Sequence, residues 1–167
     1  GLGLGFTLEG VLQTTGPKAQ VDVVELFPEI VEWNRTFMAD LNGAALKDPR
    51  VEVLEEDVRD VIIRSAKTPY DVILLDIDNN TTAMVKVENH QLYEKLGIQE
   101  TWDALRPGGR AAIWFAGPDV KVERLLRKVG FNVQAVPAKV YASSKNGAYR
   151  IYVADKPLNA AAKTKQR

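Results

Sequence analysis

The stretch YDVILLD, residues 70–76, decides the fold. Val72 to Leu75 are consecutively apolar, without the alternation of a half-exposed strand. Such a run suits a central parallel strand covered on both faces. Working outward, runs rich in valine and isoleucine alternate with helical patterns, the arrangement of an α/β domain with a mostly parallel sheet.

Upstream, AQVDVVEL (residues 19–26) and RVEVLEED (residues 50–57) read as strands. Residues 6–14 read as a helix closed by Gly16-Pro17. A second helix is expected over residues 28–41, with Pro28 in its first turn and an apolar face formed by Ile30, Val31, Trp33, Asn34, Phe37, Met38 and Leu41. Residues 58–66 form a short helix with Asp57 placed to cap it. Downstream, a helix ends at ALRPGG and is followed by the strand RAAIWFAG. A helix over residues 118–129 stops at Gly130, and FNVQAVPA and AYRIYVAD close the domain as an antiparallel pair. The domain is expected to span residues 1–157, with a poorly ordered tail over 158–167.

With 167 residues, 46% hydrophobic content and 22 basic against 22 acidic side chains, the composition fits one soluble globular domain. Zero net charge argues against a polyanion-binding surface, so nucleic acid is not an expected partner. The absence of cysteine excludes disulfides and thiolate metal sites, fits a reducing cytoplasmic setting, and with one histidine leaves no metal expected. No apolar run approaches a membrane span.

The chain opens GLGLGF, residues 1–6. A nicotinamide-type G-x-G-x-x-G fails here, and so does a phosphate loop, because no Gly-Lys follows. The remaining G-x-G-x-G is a turn where backbone approaches a ligand with no side chain in the way. On these residues alone, a ligand cradle and a plain strand-to-helix turn both stay open. Glu25, Asp57 and Asp76 fall at the ends of successive strands, the edge at which open α/β sheets bind ligands. Singly, each acid is more often a solvated residue or a helix cap.

Together with GLGLGF, the segments VDVVELFPEIVEW, DPRVEVLEEDVRD, YDVILLDIDNN, LYEKLGIQETWDALRPGG and AAIWFAG give a chain that resembles the S-adenosylmethionine-dependent methyltransferase fold, in its spermidine synthase-like branch. The resemblance covers residues 1–117 and implies a Rossmann-like fold with an antiparallel last strand. It also implies a first strand, central in the sheet, which is expected to precede Gly1. Carried over by position, it lays the methionine part of the cofactor over Gly1, Gly3 and Gly5. The ribose hydroxyls fall on Glu25, and the adenine amino group falls on Asp57 beside the backbone of Val58. Asp76 matches the acid that helps take a proton from an attacking amine, with Asp78 second.

Two departures stand out. Aminopropyltransferases resembling this chain read G-G-G-D-G-G at the turn, where the acid contacts the aminopropyl amine of decarboxylated S-adenosylmethionine; here the position is Leu4. They read D-S-S-D-P after the fourth strand, where this chain reads Asp76-Ile77-Asp78-Asn79-Asn80. The resemblance therefore implies a small-molecule transferase, a methyltransferase first, using S-adenosylmethionine or its decarboxylated form. A polyamine aminopropyltransferase and a non-catalytic nucleotide-binding domain are the alternatives. The expected partner is a small molecule such as an amine, and a homodimer is compatible with the family. Asn79, Asn80 and Tyr93 are candidate substrate contacts, with Trp114 as a further pocket residue. His90 is a candidate proton shuttle, set against the commoner reading of a polar residue in a helix first turn.

Overall fold

A computed structural model describes residues 1–77, 87–139, 147 and 149–159. Its contacts divide the chain into two compact units, Gly1–Val61 and Ile62–Arg167. The described strands form a two-stranded and a four-stranded sheet rather than one continuous sheet.

In the first unit, α1 (Phe6–Thr14) leads to β1 (Val21–Val24), α2 (Pro28–Arg35), α3 (Ala39–Asn42) and β2 (Val51–Leu54). The two strands are parallel, pairing Val21 with Val51 through Val24 with Leu54. The Glu25 N–H extends the ladder by donating to the Leu54 carbonyl at 3.0 Å. Leu2, Leu8, Val23 and Val31 form the buried core, so the start of the chain, α1, α2 and β1 share one apolar centre.

The expected single helix over residues 28–41 is broken. The Thr36 hydroxyl donates to the Glu32 carbonyl at 2.7 Å, while the Thr36 backbone leaves helical geometry at φ −116° and ψ −86°. The same hydroxyl bond is made inside a continuous helix at Thr101, so it weakens the helix only slightly, and the break lies in the Thr36 backbone itself. Beyond the break the expected apolar face is lost: Phe37 is 86% exposed and Leu41 is 62% exposed.

Arg50, just before β2, holds the end of α1. Its guanidinium donates to the carbonyls of Leu12, Thr15 and Gly16 at 3.1–3.3 Å. It also forks onto Asp48 at 2.8 and 2.9 Å. The Arg50 hydrogen bonds lower the Asp48 carboxyl pKa to about 2.

α4 (Val58–Arg64) follows β2. The second unit contains β3 (Tyr70–Leu75), α5 (Lys95–Asp103), β4 (Leu105–Phe115), α6 (Val120–Val129), β5 (Asn132–Ala138) and β6 (Tyr149–Asp155). The sheet order is β3-β4-β6-β5. β3 and β4 are parallel, and β6 runs antiparallel to both β4 and β5, as the last-strand pairing predicts.

Two details differ from expectation. The Pro107-Gly108-Gly109 turn lies inside β4, whose pairing with β3 jumps from Tyr70–Leu105 to Val72–Arg110; Gly108, at φ 79°, absorbs the bulge. β3 lies at one end of the order of the four described strands, and its apolar run is half exposed on one face. Ile73 and Leu75 are buried, whereas Val72 is 52% and Leu74 41% exposed.

The ends of α6 follow sequence rules closely. The Asp119 carboxylate accepts the Val122 N–H at 3.0 Å, and Gly130 leaves the helix at φ 128°. Lys156 closes α5 differently, its buried ammonium donating to the Trp102 and Leu105 carbonyls at 2.7 and 2.6 Å. Burial lowers its pKa.

Candidate functional site

The glycine turn is closed by the Gly5 N–H donating to the Leu2 carbonyl at 2.8 Å. Gly3 and Gly5 have φ 51° and 76°, left-handed values that a side chain rarely adopts. A Cβ added at Gly3 would meet nothing within 4 Å, so the space beside this backbone is open. Gly5 is also the N-cap of α1 and contributes no side-chain cap. Open space beside left-handed backbone fits a ligand that lies against main chain.

Glu25 ties this turn to the end of β1. Its side chain is 7% exposed, with Oε2 accepting the Leu2 N–H at 2.8 Å and Oε1 accepting the Phe27 N–H at 3.1 Å. It is therefore a buried, committed carboxylate and not a solvated loop residue. Each carboxylate oxygen has a second lone pair, so these bonds do not exhaust its accepting capacity.

Because β1 and β2 are parallel neighbours, Asp57 falls at the same strand edge as Glu25. Its Oδ1 accepts the Arg59 N–H at 2.9 Å, and its carbonyl accepts the Asp60 and Val61 N–H groups. Asp57 thus caps α4, whose first residue is Val58. Gly1, Gly3, Gly5, Glu25, Asp57 and Val58 all belong to the first unit.

Asp76 lies one residue beyond β3 in the second unit and is exposed. Asp78, Asn79 and Asn80 lie outside the described residues. Tyr93 is 6% exposed, and its ring meets Phe115 edge to face at 4.9 Å, which places it in the core of the second unit. Trp114 packs on Tyr149 at 4.7 Å. His90 is exposed, with Nδ1 3.4 Å from Glu94, a pairing along the surface. Among the described residues no group of acids and histidines could hold a metal ion, and no helix is long and apolar enough to cross a membrane.

Asn34 stands on the apolar face of α2 as its one polar side chain. It is fully buried, and its amide donates to the Gly3 carbonyl at 2.9 Å. The signal was an asparagine within an otherwise apolar helical face.

A polyamine aminopropyltransferase 2 of Pseudomonas aeruginosa is 33% identical over 151 residues, 84% of this chain and 41% of the relative. A polyamine aminopropyltransferase of Mycobacterium tuberculosis is 28% identical over 121 residues, 71% of this chain and 22% of the relative. The chain thus spans less than half the length of these curated relatives. In fold, human methyltransferase-like protein 13 in complex with SAH superposes with TM-score 0.73 at 23% identity, covering 98% of this chain and 72% of that one. Spermidine synthase from Thermotoga maritima superposes with TM-score 0.67 at 20% identity, covering 95% and 53%. The fold is the Rossmann-like methyltransferase fold. The model of the spermine/spermidine synthase domain matches residues 3–135, and the chain belongs to that family.

Proposed function

We propose that this chain forms the nucleotide-binding and catalytic part of a transferase that moves an alkyl group from an S-adenosylmethionine-type sulfonium to a small amine. Aminopropyl is the group the family favours, ahead of the methyl transfer that the sequence put first. The observation that carries the reading is the Glu25 clamp on the glycine turn, beside open space at Gly3. SAH, held by one structural neighbour, and AdoDATO, the transition-state analogue held by a spermidine synthase neighbour, support a ligand of this class.

In this reading Gly1, Gly3 and Gly5 lay bare backbone against the amino-acid or aminopropyl end of the ligand. Glu25 accepts from the ribose hydroxyls through its remaining lone pairs, while Asp57 and the backbone of Val58 meet the adenine. The sulfonium supplies an electrophilic carbon, whose bond to sulfur breaks as the amine attacks in line. The chain contributes alignment, worth about 7–11 kcal/mol when the geometry is near attack, and it needs no metal for this step. Asp76 collects the proton that the amine sheds on forming its new bond to carbon. Asp78, Asn79 and Asn80 are assigned to the substrate side from their place after β3 in the sequence alone.

A second reading, methyl transfer from S-adenosylmethionine itself, is favoured by Leu4. This side chain is 52% exposed at the turn position where aminopropyltransferases resembling this chain carry an acid. Calorimetric titration with S-adenosylmethionine, its decarboxylated form and methylthioadenosine tests both readings. Tighter binding of the decarboxylated form supports aminopropyl transfer, and tighter binding of the carboxylated form supports methyl transfer. Binding of none by folded protein overturns the enzyme reading and leaves the non-catalytic alternative.

A further inference from the structure

We infer that Asn34 is a positioning residue for the glycine turn, setting the direction of the Gly3 peptide and thereby the affinity for the ligand part lying on that turn. The ligand side of this inference rests on the proposed reading of the turn as a cofactor cradle.

Asn34 is 0% exposed in the last turn of α2. Its Nδ2 donates twice, to the Ile30 carbonyl one helical turn back and to the Gly3 carbonyl 31 residues away, both at 2.9 Å. Two carbonyl acceptors fix which end of the amide faces the turn, since only the NH2 end can donate to both. The Gly3 oxygen is therefore committed to the interior of the unit. A peptide is planar and trans, so directing its carbonyl inward also fixes the orientation of the following N–H.

This matters at Gly3 more than elsewhere. Glycine at φ 51°, with nothing within 4 Å of its missing Cβ, has no side chain of its own to restrain the rotation of its peptide. Glu25 restrains the Leu2 N–H at the near side of the turn, and Asn34 restrains the carbonyl of the next residue. Without Asn34 the oxygen is released toward the open side, where it presents a negative dipole to an incoming carboxylate and loses a buried partner.

Asn34→Thr separates the two hydrogen bonds. Threonine hydroxyls in this chain already donate to the carbonyl four residues back, Thr14 to Gly10 at 2.8 Å and Thr101 to Gly97 at 2.9 Å. A threonine at 34 is expected to keep the Ile30 bond in the same way and to lose the Gly3 bond. In the folded variant, the Gly5 amide hydrogen is expected to exchange about tenfold faster, as for one lost hydrogen bond of ordinary strength. Affinity for S-adenosylmethionine is expected to fall by about the same factor, while affinity for adenosine, which lacks the part lying on the turn, stays within about twofold.

Unchanged Gly5 exchange and unchanged S-adenosylmethionine affinity overturn the inference; an equal loss for adenosine overturns it in favour of a general structural role. If the wild-type chain binds none of the adenosyl ligands, the proposed function fails separately and Gly5 exchange alone decides the role of Asn34. Should the threonine variant not fold, Asn34→Asp serves instead. Its buried carboxyl keeps one donor when protonated and none when ionised, so faster Gly5 exchange is expected as pH rises through its titration. Exchange that tracks wild type over that range overturns the inference.

Discussion

The carboxylate of Glu25 accepts the backbone N–H of Leu2 at 2.8 Å across 23 residues of chain, so an acid at the end of β1 fastens the entrance of the glycine turn. With the Phe27 N–H on its other oxygen, Glu25 satisfies two backbone donors from a nearly buried position. In Glu25→Gln, one of those donors faces an NH2 group instead of an acceptor. The variant is expected to lose about 1–3 kcal/mol of stability, the cost of a buried donor left without its partner. A urea titration reads this as a lower midpoint at unchanged slope. An unaltered midpoint rejects the clamp.

Asp48 and Arg50 give the first unit an acid-sensitive fastening. The Asp48 carboxyl titrates in the fold at about 2, held down first by the Arg50 hydrogen bonds, and below its ordinary value of about 3.9. A depressed carboxyl pKa means that the unfolded chain binds the proton more readily. The pair's contribution is therefore complete above the ordinary value and is lost as pH falls through the folded one. Asp48→Asn is expected to lower the melting temperature near neutral pH and to match wild type increasingly as pH drops from about 4 toward about 2. A constant difference across that range counts against the fastening. Arg50→Met is expected to reproduce the neutral-pH loss and add more, because the carbonyls of Leu12, Thr15 and Gly16 lose the same guanidinium.

Leu4 is the residue on which ligand preference is expected to turn. It is half exposed on a turn whose backbone is held by Glu25 and Asn34, so a substitution there changes charge with little repacking. Leu4→Asp places a carboxylate beside the ligand end, where it repels the carboxylate of S-adenosylmethionine and attracts the ammonium of the decarboxylated form. One charge near a protein surface is worth enough to shift the ratio of the two dissociation constants by about tenfold toward the decarboxylated form. Titrating both ligands into wild type and variant measures that ratio, and no change in it removes Leu4 from the specificity of the site.

The glycine turn, the start of α1 at Phe6 and the stop of α6 at Gly130 were legible because each rests on backbone chemistry local to a few residues. Glu25 and Asp57 were legible as acids at strand ends, since strand order and spacing place them there. The break at Thr36 was not, because a backbone that leaves helical geometry at one residue leaves no mark in an apolar repeat that continues to Leu41. The exposure of Val72 and Leu74 was hidden for a related reason: an unbroken apolar run reports what a strand can bury, and coverage depends on its neighbours. Asn34 escaped because its partner, the Gly3 carbonyl, is a main-chain atom 31 residues away that no pattern of side chains reveals.

Asp76 carries the last prediction. It follows β3 directly, so the ladder of Leu75 with Ile113 fixes its backbone while its side chain stays exposed. If it collects the proton of an attacking amine, Asp76→Asn removes that base with almost no change of shape. Turnover with an amine acceptor is expected to fall by about 10²–10⁴, the usual worth of a positioned acid or base. Binding of methylthioadenosine, assigned to residues of the first unit, is expected to hold within about twofold, well short of one lost hydrogen bond. The residual rate should also recover at higher pH, where more of the amine arrives without its proton. An equal loss of affinity and rate instead assigns Asp76 to the ligand rather than to the proton.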